Sequence, residues 1–304
     1  MRNGIVIAAR HWKNGHARDQ RRFLTFHGFL DNACSFDLLA PLLLSQLGPE
    51  PVEILVLDFA GHGLSSHRQT EDYSLWRYLE EADQVTEQMG WSKHAVLGHS
   101  MGGGVASMYA GLWPERTSLC IMLDNFGPWT RSVEEQPMHL LEHMAQKRAL
   151  ATKRLPFHPS IESAIRARTH NGNWQIREDA AAIFTPRSLM PMERTDDEGQ
   201  VIQGYTWRSD RVLTIRSATS VSDDYAKAFM ARITCPLLAV LASKGFMLLR
   251  GVVEERVTWP TNAAVTTVCE IEGFHHVHLE DAPLVAQKVS EWVLAQDRPE
   301  KARL

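Results

Sequence analysis

The chain has 304 residues, of which 44% are hydrophobic and 22% charged, and its formal net charge at pH 7 is −4. This composition is typical of one large globular domain, or of a domain with an inserted lobe, and the negative charge argues against a nucleic-acid partner. No apolar run reaches the roughly 18 residues that cross a bilayer, so we expect a small-molecule substrate, no membrane partner and, by default, a cytoplasmic location. The sequence indicates no oligomeric state.

Short apolar and β-branched runs, most followed by a turn and a helical pattern, indicate βαβ units and a mostly parallel sheet. The predicted strands are Arg22–Phe26, Val52–Leu57, His94–Leu97, Leu119–Leu123, Leu237–Leu241 and Ala264–Ile271. The predicted helices are Asp37–Leu47, Ser74–Met89, Val105–Leu112 and Leu284–Leu294, all with apolar residues at three-to-four spacing. We expect Ile5–Trp12 to add one antiparallel strand.

This alternation stops in residues 126–233, which are rich in Arg, Met, Pro and Trp. The sheet pattern resumes at Cys235, so we interpret 126–233 as an inserted helical cap, or lid, and residues 1–125 with 234–304 as the core. The cap pieces predicted are the helices Pro137–Leu150 and Ser160–Thr169 and a polar, exposed stretch at Glu193–Gln200.

The segment LGHSMGGG, residues 97–104, has the G-x-S-x-G pattern between a predicted strand and a predicted helix, which is typical of a nucleophile elbow. A serine in a strained turn brings the residues two before and two after it together, and Gly98 and Gly102 satisfy that need. We therefore predict that Ser100 is the nucleophile. The predicted oxyanion hole consists of the Met101 N–H and, after the first parallel strand, the Phe29 N–H.

A serine nucleophile needs a base and an orienting acid. Asp124 ends the strand next along the chain from the one that carries Ser100, so we predict that it is the acid. Asp58, which also follows a strand, is the rival, although an Asp there more often braces the following turn. The base is sought in GFHHVHLE, which contains three histidines: His275, His276 and His278.

Four segments, HGFLDNACSFDLLAPLL, LDFAGHGLSSH, GHSMGGG and GFHHVHLE, resemble the α/β-hydrolase fold family and, within it, the serine hydrolase-like group. The resemblance covers about residues 20–125 and 230–296. A frequent family pattern has the acid in Gly-x-x-Asp after the next-to-last strand; Leu248 stands at that place here, which favours Asp124. The family spacing of a His followed three residues later by a second His favours His275 as the base, whereas the G-x-x-H count from Gly273 selects His276. His278 ranks third.

The predicted protein is thus an α/β-hydrolase fold with helices on both faces of the sheet and an inserted cap. The predicted activity is cleavage of a small ester, thioester or lactone by Ser100, His275 and Asp124, with no cofactor and no metal site. Trp129 and Trp207 are expected to line the substrate pocket. Two alternatives stay open: hydrolysis of a carbon–carbon bond by the same triad, and a non-catalytic ligand-binding or signalling role. The last residues, 302–304 (ARL), resemble relaxed forms of the peroxisomal address, which would apply in a eukaryotic cell.

Overall fold

Strands and helices alternate along most of the chain in the computed structural model, which describes residues 1, 4–15, 20–169 and 175–297. The strands are β1 (Ala9–Lys13), β2 (Arg21–Phe26), β3 (Val52–Leu57), β4 (His94–His99), β5 (Thr117–Leu123), β6 (Leu189–Thr195), β7 (Val201–Trp207), β8 (Leu237–Lys244) and β9 (Thr266–Phe274). The α-helices are α1 (Leu39–Gln46), α2 (Leu75–Met89), α3 (Met101–Leu112), α4 (Gln136–Leu150), α5 (Ile161–Thr169), α6 (Glu178–Phe184), α7 (Asp223–Met230), α8 (Phe246–Leu249), α9 (Val253–Arg256), α10 (Val277–Glu280) and α11 (Ala282–Gln296).

Seven strands form the main sheet, in the order β1-β3-β2-β4-β5-β8-β9. β1 runs antiparallel to β3, and every other neighbouring pair is parallel. All residues of β3 and β4 are buried, as expected for central strands with helices on both faces. One apolar cluster joins the sheet to α2 and α3, and a second joins the opposite face to α1 and α11. The predicted fold, a mostly parallel sheet with one antiparallel strand, is confirmed.

The parallel strands end at a common edge of the sheet. Phe26 pairs with Gly98, His99 with Leu123, and Leu123 with Val240. The loops that follow β2, β4, β5 and β8 therefore leave the sheet side by side. Open α/β sheets bind ligands at this edge. Each of the predicted catalytic residues directly follows a strand, β4, β5 or β9, and so belongs to this edge.

Between β5 and β8 the chain forms α4, α5, α6, α7 and the β6–β7 hairpin. The hairpin is a difference from the predicted all-helical insertion. It pairs from Leu189 opposite Trp207 to Thr195 opposite Val201, and it turns at Gly199, which has a φ of 82°. The polar stretch predicted at Glu193–Gln200 is the tip of this hairpin. Pro191 is tolerated in β6 because a two-stranded sheet has only edge strands.

One further difference concerns the end of a strand. β9 continues to Phe274, beyond the predicted end at Ile271, and thereby carries the chain up to the histidine loop. In the described part of the chain, no helix is long and apolar enough to cross a bilayer. The tripeptide at 302–304 lies outside the described residues.

Candidate active site

Ser100 lies on the sharp turn between β4 and α3, with a φ of 51° and a ψ of −119°. The turn presses its neighbours together: a Cβ built on Gly98 would lie 2.1 Å from the Gly102 carbonyl oxygen, and one built on Gly102 would lie 2.2 Å from the Phe26 carbonyl oxygen. No side chain fits at either position. The two glycines of the motif are therefore required by backbone contact, and the strained serine is held above the edge of the sheet.

The next two glycines serve a different contact. A Cβ on Gly103 would lie 2.6 Å from the Asn125 Cβ, and one on Gly104 would lie 2.9 Å from the Pro128 Cα. The loop after β5 thus packs directly on the first turn of α3. Glycine inside a helix costs about 0.5–1 kcal/mol relative to alanine, and this close packing is the reason for accepting that cost.

His275 joins Ser100 to Asp124. Its Nε2 lies 2.8 Å from the Ser100 Oγ, and its Nδ1 lies 2.5 Å from the Asp124 Oδ2. The other two candidate histidines point elsewhere: the His276 Nε2 lies 3.4 Å from the Asp31 Oδ2, and His278 is fully buried with its ring centroid 5.2 Å from that of Phe36. Of the three, His275 is the one in hydrogen-bonding contact with the serine.

Asp124 is fully buried at the end of β5, with a φ of 40°. Besides His275, its carboxylate accepts hydrogen bonds from the Ala242 N–H at 3.2 Å and the Phe246 N–H at 2.9 Å. A Cβ on Gly245 would lie 2.2 Å from the Asp124 Oδ1, so the loop after β8 is shaped around this carboxylate. That loop, which carries the acid in the frequent family pattern, here supplies donors instead.

The rival acid, Asp58, has a different environment. Its carboxylate is paired with the Arg187 guanidinium at 2.8 Å and accepts a hydrogen bond from the Leu64 N–H at 2.8 Å. A Cβ on Gly63 would lie 2.3 Å from Asp58. Asp58 therefore braces the turn that follows β3 and ties it to the segment that carries Arg187.

Burial controls the protonation of the histidine at this site. It lowers the pKa of His275 to about 4, because charging an imidazole in a desolvated position is unfavourable, and the hydrogen bond with Asp124 only partly opposes that shift. At neutral pH the imidazole is consequently uncharged. An uncharged imidazole with Nδ1 directed at a carboxylate presents Nε2 as a proton acceptor toward the Ser100 hydroxyl.

Sequence and structure comparisons show the family of this chain. A family model described as "alpha/beta hydrolase fold" matches residues 21–212. The chain belongs to the α/β-hydrolase fold family. It is 37% identical to the human serine hydrolase-like protein 2 over 294 residues, covering 89% of this chain and 86% of the relative. A hypothetical protein of Pseudomonas aeruginosa PAO1 has a crystal structure with a TM-score of 0.79 at 34% identity, covering 96% of this chain and 95% of that chain.

A thioesterase domain from the curacin biosynthetic pathway shares the fold, with a TM-score of 0.73 at 20% identity over 94% of this chain and 95% of that chain. The chain is thus similar to serine hydrolase-like proteins in sequence and shares its fold with this thioesterase domain.

A cavity of about 990 Å³ opens above Ser100. Phe29, Met101 and Trp129 line it together with the serine, as do residues of α4 and of the segment that leads to α7. Trp207 does not line it. Its ring centroid lies 4.8 Å from that of His158 and 4.9 Å from the Arg168 guanidinium, because β7 directs the side chain toward α5. Of the two predicted pocket residues, Trp129 thus lines the cavity and Trp207 does not, because Trp207 belongs to a hairpin that was not predicted.

Arg250 is a cavity residue that the sequence analysis missed. Its Cζ lies 4.0 Å from the Trp129 ring centroid and 5.3 Å from that of Phe246, and these two rings stack on each other at 4.7 Å. Stacking holds the guanidinium flat and leaves its N–H edge available for a planar anion. Arg250 belongs to no sequence motif, and it contacts Trp129 only because the fold brings the two segments together.

A second cluster of titratable groups lies at residues 27–32, the loop after β2, which is named the oxyanion loop after the oxyanion hole predicted at Phe29. Its members are Asp31, His99 and His276. Among the His, Cys, Asp and Glu side chains of the described ranges, these three could together hold a metal ion, because one potential ligand atom from each lies within 4.8 Å of the other two. The prediction of no metal site rested on the absence of suitably spaced partners for the histidine run. The fold assembles these three from distant segments, which spacing in sequence cannot reveal.

Two more histidines near the site have structural contacts. His27 is buried, and its Nε2 accepts a hydrogen bond from the Phe59 N–H at 3.1 Å. His99 is also buried, and its Nε2 lies 2.9 Å from the His275 carbonyl oxygen. His99 thereby braces the backbone that carries His275.

Proposed function

We propose that this protein is a serine hydrolase that cleaves a small ester, thioester or lactone through an acyl-enzyme. The observation that carries the proposal is the continuous hydrogen-bonded chain Ser100–His275–Asp124 beneath a large cavity. Such a chain activates a hydroxyl that is otherwise too weakly acidic to attack a carbonyl carbon at neutral pH.

In the proposed reaction, the His275 Nε2 takes the proton of Ser100 as Oγ attacks the substrate carbonyl carbon. The negative charge that develops on the carbonyl oxygen is stabilised by the N–H groups of Phe29 and Met101, the second of which begins α3. The intermediate then collapses: the bond to the leaving alcohol or thiol breaks, and His275 donates its proton to that group. Asp124 stabilises the imidazolium while it exists.

Deacylation repeats these steps with water. His275 removes a proton from the water as its oxygen attacks the acyl carbon, and the proton then passes to the Ser100 Oγ as the acyl bond breaks. The products are a carboxylic acid and the restored serine. The thioesterase among the structures of similar fold and the serine hydrolase-like relative support acyl transfer as the reaction class.

The test is labelling by a fluorophosphonate, read by intact mass, of the wild type and of four variants. Ser100→Ala removes the nucleophile, His275→Gln the base and Asp124→Asn the acid, and each is expected to lower the labelling rate by at least about 10³-fold. His276→Gln is the matched comparison, since its ring is directed at Asp31 instead of Ser100, and it should label much faster than His275→Gln.

If the folded wild type does not label, the serine is not activated, and a ligand-binding role without catalysis becomes the better interpretation. If it labels but turns over diketones faster than p-nitrophenyl esters or thioesters, the same triad serves carbon–carbon bond hydrolysis.

A further inference from the structure

The side chains of Asp31, His99 and His276 meet from three segments: the oxyanion loop, the end of β4 and the loop after β9. Asp31 is 4% exposed and His99 is fully buried. The Asp31 Oδ2 lies 3.5 Å from the His99 Nδ1 and 3.4 Å from the His276 Nε2. This Asp31–His99–His276 cluster is separate from the Ser100–His275–Asp124 chain, but it shares a loop with it.

The hydrogen bonding of His99 fixes where its proton is. The His99 Nε2 lies 2.9 Å from the His275 carbonyl oxygen, which can only accept, so Nε2 carries the hydrogen. In the neutral imidazole Nδ1 then presents a lone pair, and that lone pair faces a carboxylate oxygen. Both the His99 Nδ1 and the Asp31 Oδ2 are buried without a hydrogen-bond partner in the described part of the chain. Two facing acceptors repel each other unless a positive charge lies between them.

The lengths of the two Asp31 contacts favour a bridging metal ion over a shared proton. A charge-assisted hydrogen bond between nitrogen and oxygen is about 2.7–2.9 Å long, and both contacts of Asp31 are longer than that. In a tetrahedral site with metal–ligand bonds of about 2.0–2.1 Å, adjacent ligand atoms are about 3.4 Å apart. Two of the three separations, those from the Asp31 Oδ2 to the two imidazole nitrogens, match the edges of such a tetrahedron, and all three ligand atoms lie within 4.8 Å of one another.

We propose that Asp31, His99 and His276 form a binding site for a divalent transition-metal ion such as Zn²⁺. Two imidazole nitrogens and one carboxylate oxygen suit that class of metal better than Mg²⁺ or Ca²⁺, which select oxygen ligands. The bond from the His99 Nε2 to a backbone carbonyl is the usual outer contact of a metal-binding histidine, since it fixes both tautomer and ring orientation.

The position of the site assigns the ion a structural role. A Cβ on Gly28 would lie 2.8 Å from both the Asp31 Oδ2 and the His99 Nδ1, so the backbone of the oxyanion loop covers the cluster. The ion would lie behind that loop and would tie it to the segment that carries His275. The Arg168 guanidinium, which donates a hydrogen bond to the Leu30 carbonyl oxygen at 2.6 Å, is a neighbouring cation that weakens the affinity.

The test is direct titration of protein that has been freed of metal with a chelator and dialysed. Zn²⁺ binding is followed by calorimetry, and Co²⁺ binding by the visible absorption of a four-coordinate ion. We expect one ion per chain, an imidazole–carboxylate spectrum without a thiolate band, and a rise in the melting temperature on addition of Zn²⁺. Binding is measured on the full chain and needs no assumption about its activity.

Two variants and one control assign the site. Asp31→Asn and His276→Asn should each weaken Zn²⁺ binding by about 100-fold or more, because each removes one of three ligands. His11→Asn is the control: it removes the imidazole of another His–carboxylate pair, with Glu53 at 2.9 Å, and should leave the affinity unchanged. Two outcomes would overturn the proposal: wild type that binds no Zn²⁺ below millimolar concentration, or equal affinity in wild type and in both cluster variants when all are folded. A proton would then be the positive charge in the cluster.

Discussion

Gly245 sets the space that the Asp124 carboxylate occupies, and replacing it with alanine tests the proposed triad without touching any of its members. The added Cβ would lie 2.2 Å from Oδ1 and 2.5 Å from Cγ of Asp124. Gly245 has a φ of −84°, a value that alanine adopts freely. The predicted effect therefore comes from contact with Asp124 and not from backbone strain.

The size of the effect follows from the geometry. Real Cβ contacts are not found below 3.0 Å, so the carboxylate must move by roughly 0.8 Å, the difference between 3.0 Å and 2.2 Å. That shift disturbs the bonds to the Ala242 N–H, the Phe246 N–H and His275 together. A misplacement of about 1 Å at a catalytic group can cost about 10²-fold in rate. We expect kcat/KM to fall about 10²-fold, equivalent to about 2.7 kcal/mol of transition-state stabilisation.

The assay is hydrolysis of p-nitrophenyl acetate, together with the rate of fluorophosphonate labelling and a melting curve. Gly251→Ala is the control, since Gly251 has a φ of 66° but no heavy atom lies within 4 Å of its added Cβ. That variant should lose stability through strain and keep its kcat/KM within about twofold. A folded Gly245→Ala protein with wild-type kcat/KM would refute the assignment of Asp124 as the orienting acid.

Three further outcomes are expected. Because burial lowers the pKa of His275 to about 4, its imidazole stays neutral through the mildly acidic range. We expect kcat/KM to stay constant from about pH 8 to pH 6 and to decline only toward pH 4. A midpoint near 6.5 would contradict the burial argument. Burial also lowers the pKa of His62 to about 3 and that of His94 to about 4. Since both groups are protonated more readily in the unfolded chain, urea titrations should show the free energy of unfolding falling below pH 6.5 by up to about 1.4 kcal/mol per pH unit for each. Arg250→Met should lower kcat/KM about tenfold more for esters with a carboxylate-terminated acyl chain than for neutral esters of equal length, because stacking on Trp129 leaves its N–H edge available; equal losses would mean that Arg250 only packs.

The sheet and the serine turn were predictable because they depend on local patterns. Buried parallel strands are continuous apolar runs, and G-x-S-x-G is imposed by contacts between residues four apart in the chain. Gly98 and Gly102 could be assigned from sequence for that reason. The hairpin within residues 126–233 was not predicted: β6 and β7 have a weak alternation and a proline stands at position 191, so the pairing depends on packing and not on propensity.

Contacts between distant segments were not predictable. Arg250 meets Trp129, and Asp31 meets His99 and His276, only after the whole sheet has formed. Trp207 illustrates the converse, because its type suited a pocket wall, yet strand β7 directs it toward Arg168. For such residues the sequence supplies the chemical type, and the topology alone supplies the partners.

The place of the acid is explained by the pairing of two neighbouring strands. β5 and β8 are adjacent and parallel, with Leu123 opposite Val240, so the loops that follow them start at the same edge of the sheet. A carboxylate placed after either strand can reach the same imidazole. In this chain Asp124 extends from β5 to the end of β8 and the start of α8, which supply the N–H groups of Ala242 and Phe246. The hydrophobic Leu248 at the frequent family position is therefore compatible with a complete Ser–His–Asp arrangement. The acid follows β5 instead of β8, and the histidine follows β9.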